Sequence, residues 1–202
     1  MQKQRTSPFA SVEPTRNECR RPLPSDTIVP QPECVIDRGM TLNGPAADVR
    51  QWLVQIGPRR RVSQDDTMLV RGGWYLPERI ERLLPQKSRG LRSIDPSITM
   101  ETGQQFRDWA EGGTPRWITV HQATDTTIVL TGTRGATRWS WVFTLDEIGN
   151  NRTRLHTRFR MSPILVWGCH IPWSALRPFE PVDALYMEWF RQGLNERLGL
   201  KK

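Results

Sequence analysis

A chain of 202 residues has single-domain length, and no internal repeat or second hydrophobic block divides it. The 29 Lys and Arg against 21 Asp and Glu give a net charge of +8, but the excess is scattered over the first 21 residues, Arg59, Arg60 and Arg61, and one alternating strand, so no nucleic-acid reading helix is indicated. Cys19, Cys34 and Cys169 are far apart, the three histidines are unclustered, and no apolar run reaches signal-peptide or membrane-spanning length, which speaks against a disulfide framework, a zinc site and a membrane protein.

A soluble cytoplasmic protein with no cofactor and no metal is therefore expected. The hydrophobic fraction is modest at 37%, yet nine Trp residues bring large apolar area, so one sizeable core is within reach.

Residues 1–33 hold Pro8, Pro14, Pro22, Pro24, Pro30 and Pro32 among charged and small side chains. Such a composition buries little and reads as a flexible Pro-rich tail, leaving residues 34–202 as the folded domain. The first expected element is a strand over 35–42, closed by Asn43, Gly44 and Pro45. A helix follows over 46–56, its apolar Val49, Trp52, Leu53 and Ile56 recurring at helical spacing until Gly57-Pro58 stops it. Residues 59–70 read as a polar loop. Gly72-Gly73-Trp74-Tyr75 reads as a bend carrying two rings, and 77–84 as a short helix with Ile80, Leu83 and Leu84 inward.

Beyond Gly90 the period becomes two. Strands are expected over 98–106, 116–123, 127–133, 137–147 and 153–161, with turns at Gly112-Gly113, Thr124-Asp125, 132–135 and 149–151, the pattern of an antiparallel meander. Trp139, Trp141, Phe143 and Leu145 share one face of their strand; Thr153, Leu155, Thr157 and Phe159 share one face of the next. The opposite faces carry Arg138, Ser140, Val142 and Thr144, then Arg152, Arg154, His156, Arg158 and Arg160. One face is apolar and covered; the arginine face reads as a solvated outer surface. After an irregular stretch over 162–181, a helix over 182–198 presents a wide stripe of Val182, Leu185, Tyr186, Trp189, Phe190, Leu194 and Leu198, which needs the apolar sheet face as its partner.

This order, together with Trp52-Leu53-Val54-Gln55-Ile56-Gly57, Gly72-Gly73-Trp74-Tyr75, Glu78-Arg79-Ile80-Glu81-Arg82-Leu83, Arg138-Trp139-Ser140-Trp141-Val142-Phe143 and Arg152-Thr153-Arg154-Leu155, resembles the START-like, or SRPBCC, superfamily over residues 35–198. That superfamily includes polyketide cyclases and lipid-transfer domains. The stretch 58–71 is an insertion relative to its pattern, and 86–113 matches it only loosely. The resemblance implies an α+β helix-grip fold, a curved antiparallel sheet wrapped around a long C-terminal helix with two short helices near the N-terminus. It also implies an internal cavity for a small hydrophobic molecule such as a lipid, polyketide or aromatic metabolite. It carries over no catalytic residue.

The rings available to line such a cavity are Trp117, Trp141, Phe143, Phe159, Tyr186 and Trp189, with Trp74 and Tyr75 near its mouth; packing of the same rings into a solid core is the competing reading. His121 shares its strand face with Trp117 and Thr119, and inward placement would make it an orienting group or a general base. A cyclase- or dehydratase-like enzyme would draw on His121, Glu188 and Tyr186. A basic interaction module would draw on the arginine strand and tail, but no nucleic-acid-binding motif accompanies them.

Overall fold

The structure, a computed structural model, describes residues 8–58, 71–107, 117–166 and 169–200. The expected loop over 59–70 and the Gly112-Gly113 turn lie outside the described residues.

Six strands, β1 (Cys34–Leu42), β2 (Gln105–Arg107), β3 (Trp117–Ala123), β4 (Thr127–Arg134), β5 (Thr137–Glu147) and β6 (Thr153–Met161), form one antiparallel sheet in the order β1-β6-β5-β4-β3-β2. A separate hairpin pairs β7 (Ile164–Val166) with β8 (Cys169–Ile171). The helices are α1 (Arg16–Arg20), α2 (Ser25–Ile28), α3 (Ala46–Val54), α4 (Glu78–Glu81), α5 (Trp173–Leu176) and the long C-terminal α6 (Glu180–Gly199). The architecture is the expected α+β helix grip, a curved sheet with the long helix against its apolar face. Among the described residues no helix is long and apolar enough to cross a membrane.

Alternation along the strands sets the two faces. One register row on the helix side runs Cys34, Met161, Trp139, Gly132, Ile118, Phe106; the next runs Ile36, Phe159, Trp141, Leu130, and the next Arg38, Thr157, Phe143, Ile128. Gly132 is a strand residue here, not part of a turn, and its missing side chain lets the Trp139 ring lie across the backbone: a Cβ on Gly132 would stand 2.4 Å from that ring. A second close approach sets α6 against the 74–76 segment, because a Cβ on Gly193 would meet Tyr75 O and Leu76 C, both at 2.6 Å.

Several sequence expectations shift. Only Gln105–Arg107 of the strand expected over 98–106 forms, because residues 95–104 are taken up by turns: Ile98 N–H donates to Asp95 O, Gln104 N–H to Glu101 O, and Gly103 has φ +88°. The helix expected over 77–84 shortens to α4, and Leu83, expected inward, is 81% exposed beyond its last turn. The irregular stretch before α6 holds the β7-β8 hairpin and α5.

The largest departure is at the N-terminus. Residues 8–33, expected as a flexible tail, form a strap that starts against α6 and β1 at residues 9–12 and carries α1 and α2 over the outer sheet face. Proline does not prevent this, since Pro24 caps α2 and apolar Val12, Leu23 and Val29 are almost fully buried. Leu23 packs with Val129 and Val142, outward residues of β4 and β5. Arg154, His156, Arg158 and Arg160 are consequently covered in whole or part, while Arg152 stays exposed. Arg154 pairs with Glu18 at 2.8 Å, Arg160 with Asp26 at 3.0 Å, and Arg158 with both Asp26 and Asp37. Asp37 Oδ1 also lies 2.7 Å from Nε2 of His156, which has no exposed surface. Arg154, Arg158 and Arg160 are thus engaged by the strap's carboxylates and carbonyls.

Acid is expected to loosen the strap. Burial raises the Glu18 carboxyl, but hydrogen bonds from Arg154 and from the Thr15 backbone, with the Arg154 charge, outweigh it and hold the group at about 2. A carboxyl lowered from about 4.3 in the unfolded chain contributes stability that is complete above that value and is lost as pH falls toward the folded value. Glu188 is also held at about 2: burial raises it, and hydrogen bonds from Arg191, Ser11 and Gln192 more than offset this. Thermal midpoints followed down from pH 5 should therefore fall steadily toward pH 2, within the window set by these two carboxyls. Glu18→Gln should flatten that slope in part and Glu188→Gln a further part. An unchanged slope in Glu18→Gln would separate the strap from acid sensitivity.

Candidate functional site

The helix–sheet interface is fully buried toward the end of α6 and only partly covered toward its start. Toward the end of α6, Phe190, Gly193, Leu194, Arg197 and Leu198 are buried against Trp52, Tyr75, Leu42 and neighbouring core residues. Toward its start, Ala184 and Met187 remain buried against the core, while Phe179, Val182, Leu185 and Tyr186 are exposed, although Val182, Leu185 and Tyr186 belong to the helical stripe read from the sequence. The sheet follows the same gradient. Met40, Leu42, Leu145 and Leu155 are buried, while Ile36, Trp139, Trp141, Phe159 and Met161 are half-buried.

A file of rings runs into the partly covered end. Tyr186 stacks on Trp74 at 5.2 Å with planes 5° apart, and Trp74 lies 5.4 Å from Trp141 and 4.1 Å from Phe190. Trp141 continues to Phe143 at 4.6 Å and edge-on to Phe159 at 6.4 Å, which faces Trp139 at 6.0 Å. Trp74 thus sits inside the gap as a wedge between helix and β5, where it was expected at the mouth. Tyr75 is fully buried below it, its hydroxyl donating to Trp52 O at 2.9 Å. The reason is the Gly193 contact, which presses the 74–76 backbone onto α6 and sends both rings inward.

Phe143 is buried in the core, and Trp189 is half-buried against it. Two expected lining residues are on the wrong side. In β3 the core-facing residues are Ile118 and Val120, so Trp117 and Thr119 face outward and His121 is exposed beside the register shift between Val120 and Gln122. Trp117 instead borders a groove of about 670 Å³ with Gln105, Thr119, Thr131 and Arg138, which the Trp139 ring also reaches past Gly132. His121 therefore cannot act as a base in the helix–sheet gap. Of its expected catalytic companions, Glu188 is engaged by Arg191, Ser11 and Gln192, and burial pushes the Tyr186 hydroxyl up to about 12. These three groups form no acid–base set.

One residue of this site was not singled out from the sequence. Arg38 is inward-facing in β1, opposite Thr157, and away from the strand ends it is the one charged side chain on the helix-facing side of the sheet among the described residues. It reaches across the partly covered end to α6, where Nε donates to Asp183 Oδ2 at 2.8 Å and NH2 to Glu180 O at 3.2 Å. Burial raises the Asp183 carboxyl despite the opposing Arg38 charge.

No family model and no curated protein matches the sequence. Among solved structures, the chain is similar to a protein of Thermobifida fusca (16% identity, TM-score 0.49, covering 82% of this chain and 93% of that one). It is also similar to a protein of Mesorhizobium loti (13% identity, TM-score 0.47, covering 84% and 99%). A third similar structure is a START superfamily protein of Mycobacterium smegmatis (11% identity, TM-score 0.46, covering 81% and 98%).

Proposed function

We propose that this chain binds a small hydrophobic molecule at the partly covered end of the interface, between the sheet and the first half of α6. The observation that supports this most is the ring file itself. Tyr186, Trp141, Phe159 and Trp139 keep part of their surface accessible, whereas the inward residues nearer the end of α6 are buried. Flat, rigid rings offer contact area at low entropic cost, and an apolar molecule laid against them would remove surface that the fold leaves exposed. Lipids, polyketides and aromatic metabolites all fit this description.

Native mass spectrometry and tryptophan fluorescence with dodecanol and with naphthalenemethanol test the reading. At least one probe should form a one-to-one adduct with a change in tryptophan emission. Trp141→Ala should weaken that binding about tenfold, equivalent to roughly 1.4 kcal/mol of lost aromatic contact. Trp117→Ala, on the outer face, should leave it unchanged. Absence of an adduct with both alcohols and with their matching acids, or sensitivity to Trp117 in place of Trp141, would remove the proposal.

A further inference from the structure

We propose that the ligand is amphipathic and carries a carboxylate, which Arg38 receives at the polar end of the ring file; this rests on the binding reading above. Three observations converge on Arg38. The first is its isolation: the surrounding inward positions of β1, β6 and β5 are Ile36, Met40, Thr157, Phe159, Trp141 and Phe143, so one cation stands in an otherwise apolar or hydroxyl-bearing surface. Binding sites for apolar molecules use such a single placed polar group to fix orientation.

The second observation is adjacency. Ile36 pairs with Phe159 and Arg38 with Thr157, so the guanidinium springs from the register row next to the one that holds Phe159 and Trp141. A molecule lying along those two rings would extend toward Arg38 within the reach of a short chain.

The third is the hydrogen-bond inventory. The Nε, one NH2 and one NH1 hydrogen go to Asp183 Oδ2, Glu180 O and, at 3.4 Å, Asp37 O. Each terminal nitrogen retains a further N–H that none of these acceptors takes. A carboxylate can accept both in the fork arrangement that guanidinium favours. Asp183, paired with Arg38, and the Glu180 charge acting on Asp183 offset the positive charge here, which weighs less against a singly charged carboxylate than against a dianionic phosphate.

The test compares matched acids and alcohols: dodecanoate with dodecanol, and naphthoate with naphthalenemethanol, titrated by tryptophan fluorescence with adducts counted by native mass spectrometry. In the wild-type chain at least one acid should bind about tenfold tighter than its alcohol, the difference expected of one charge-assisted hydrogen-bonded pair. Arg38→Met should bring the acid-to-alcohol binding ratio to about one. Asp183→Asn, which removes the competing charge but keeps Arg38, should preserve or enlarge the preference for the acid. If Arg38 only ties β1 to α6, both variants would lower thermal stability and neither would change the acid-to-alcohol ratio, and the inference would be overturned. Equal binding of acid and alcohol by the wild type overturns it while leaving the binding site standing. No binding of any of the four probes overturns the binding site as well.

Discussion

Arg158→Ala is expected to cost about 3–5 kcal/mol of unfolding free energy, the range for stripping one partner from a buried ion pair, and to be read directly from the urea midpoint. Arg158 is 3% exposed, and its guanidinium joins the strap to the sheet through several bonds at once. Nε donates to Asp37 Oδ1 at 2.8 Å, NH1 to Arg21 O at 2.9 Å and to Asp26, and NH2 to the carbonyls of Glu18 at 2.9 Å and Cys19 at 2.7 Å. Truncation to alanine removes this donor from two carboxylates and three backbone carbonyls around a buried guanidinium, and each is costly to leave unmet. Arg138, an exposed arginine on the same outer face, provides the control: Arg138→Ala should change stability by less than about 0.5 kcal/mol. Deletion of residues 1–33 should be more severe than either, since it also uncovers Val129 and Val142. If Arg158→Ala and Arg138→Ala had equal small effects, the strap would not be fastened in the way these contacts require.

That strap marks where the sequence stopped being legible. The strands of the meander and the long helix announce themselves by local periodicity, and so does the sidedness of β5 and β6. The strap has no period. Its anchors, Val12, Glu18, Leu23, Asp26 and Val29, are single residues among prolines, and their partners lie more than a hundred positions along the chain, as for Arg158 and Glu18. Local reading therefore sees a composition suited to disorder and, on the other side of the contact, an arginine row suited to solvent. Each half makes sense of the other only after pairing.

The candidate site was legible in its rings but not in its shape. Trp141, Phe143 and Phe159 lie on the helix-facing side that alternation gives them, whereas Tyr186, placed in the buried stripe by helical spacing, is exposed. Trp117 and His121 do not lie on the helix-facing side, because β3 offers apolar residues in both phases: one tryptophan in one, Ile118 and Val120 in the other. The sheet buries the two β-branched side chains, and the bulge after Val120 leaves His121 outside. Arg38 escaped notice because a lone arginine in a strand looks like any surface arginine until its neighbours' register is known.

Arg197→Met and Glu81→Met, made singly, should each destabilise the fold by about 3–5 kcal/mol, whereas the double replacement should recover much of that loss. Arg197 has no exposed surface and Glu81 is 2% exposed. Their contact is 2.6 Å, and Arg197 also donates to Leu91 O at 2.8 Å, Leu76 O at 3.1 Å and Gly193 O at 3.0 Å, with its guanidinium 4.7 Å above the Tyr75 ring. Glu81 in turn accepts from Leu76 and Gly90 N–H. Removing either charge strands the other in the interior; removing both exchanges an ion pair for packed thioethers. A denaturant double-mutant cycle measures this coupling, and strictly additive single effects would show that the two groups do not depend on each other. The same cycle reaches the binding site. Residues 75–91 are tied to α6 through this pair, and Trp74 stands immediately before them, wedged between α6 and β5. Each single variant should therefore loosen the Trp74 stack, seen as a loss of near-ultraviolet circular dichroism, and weaken binding of apolar probes at the partly covered end, while the double variant restores both in proportion to the stability it regains.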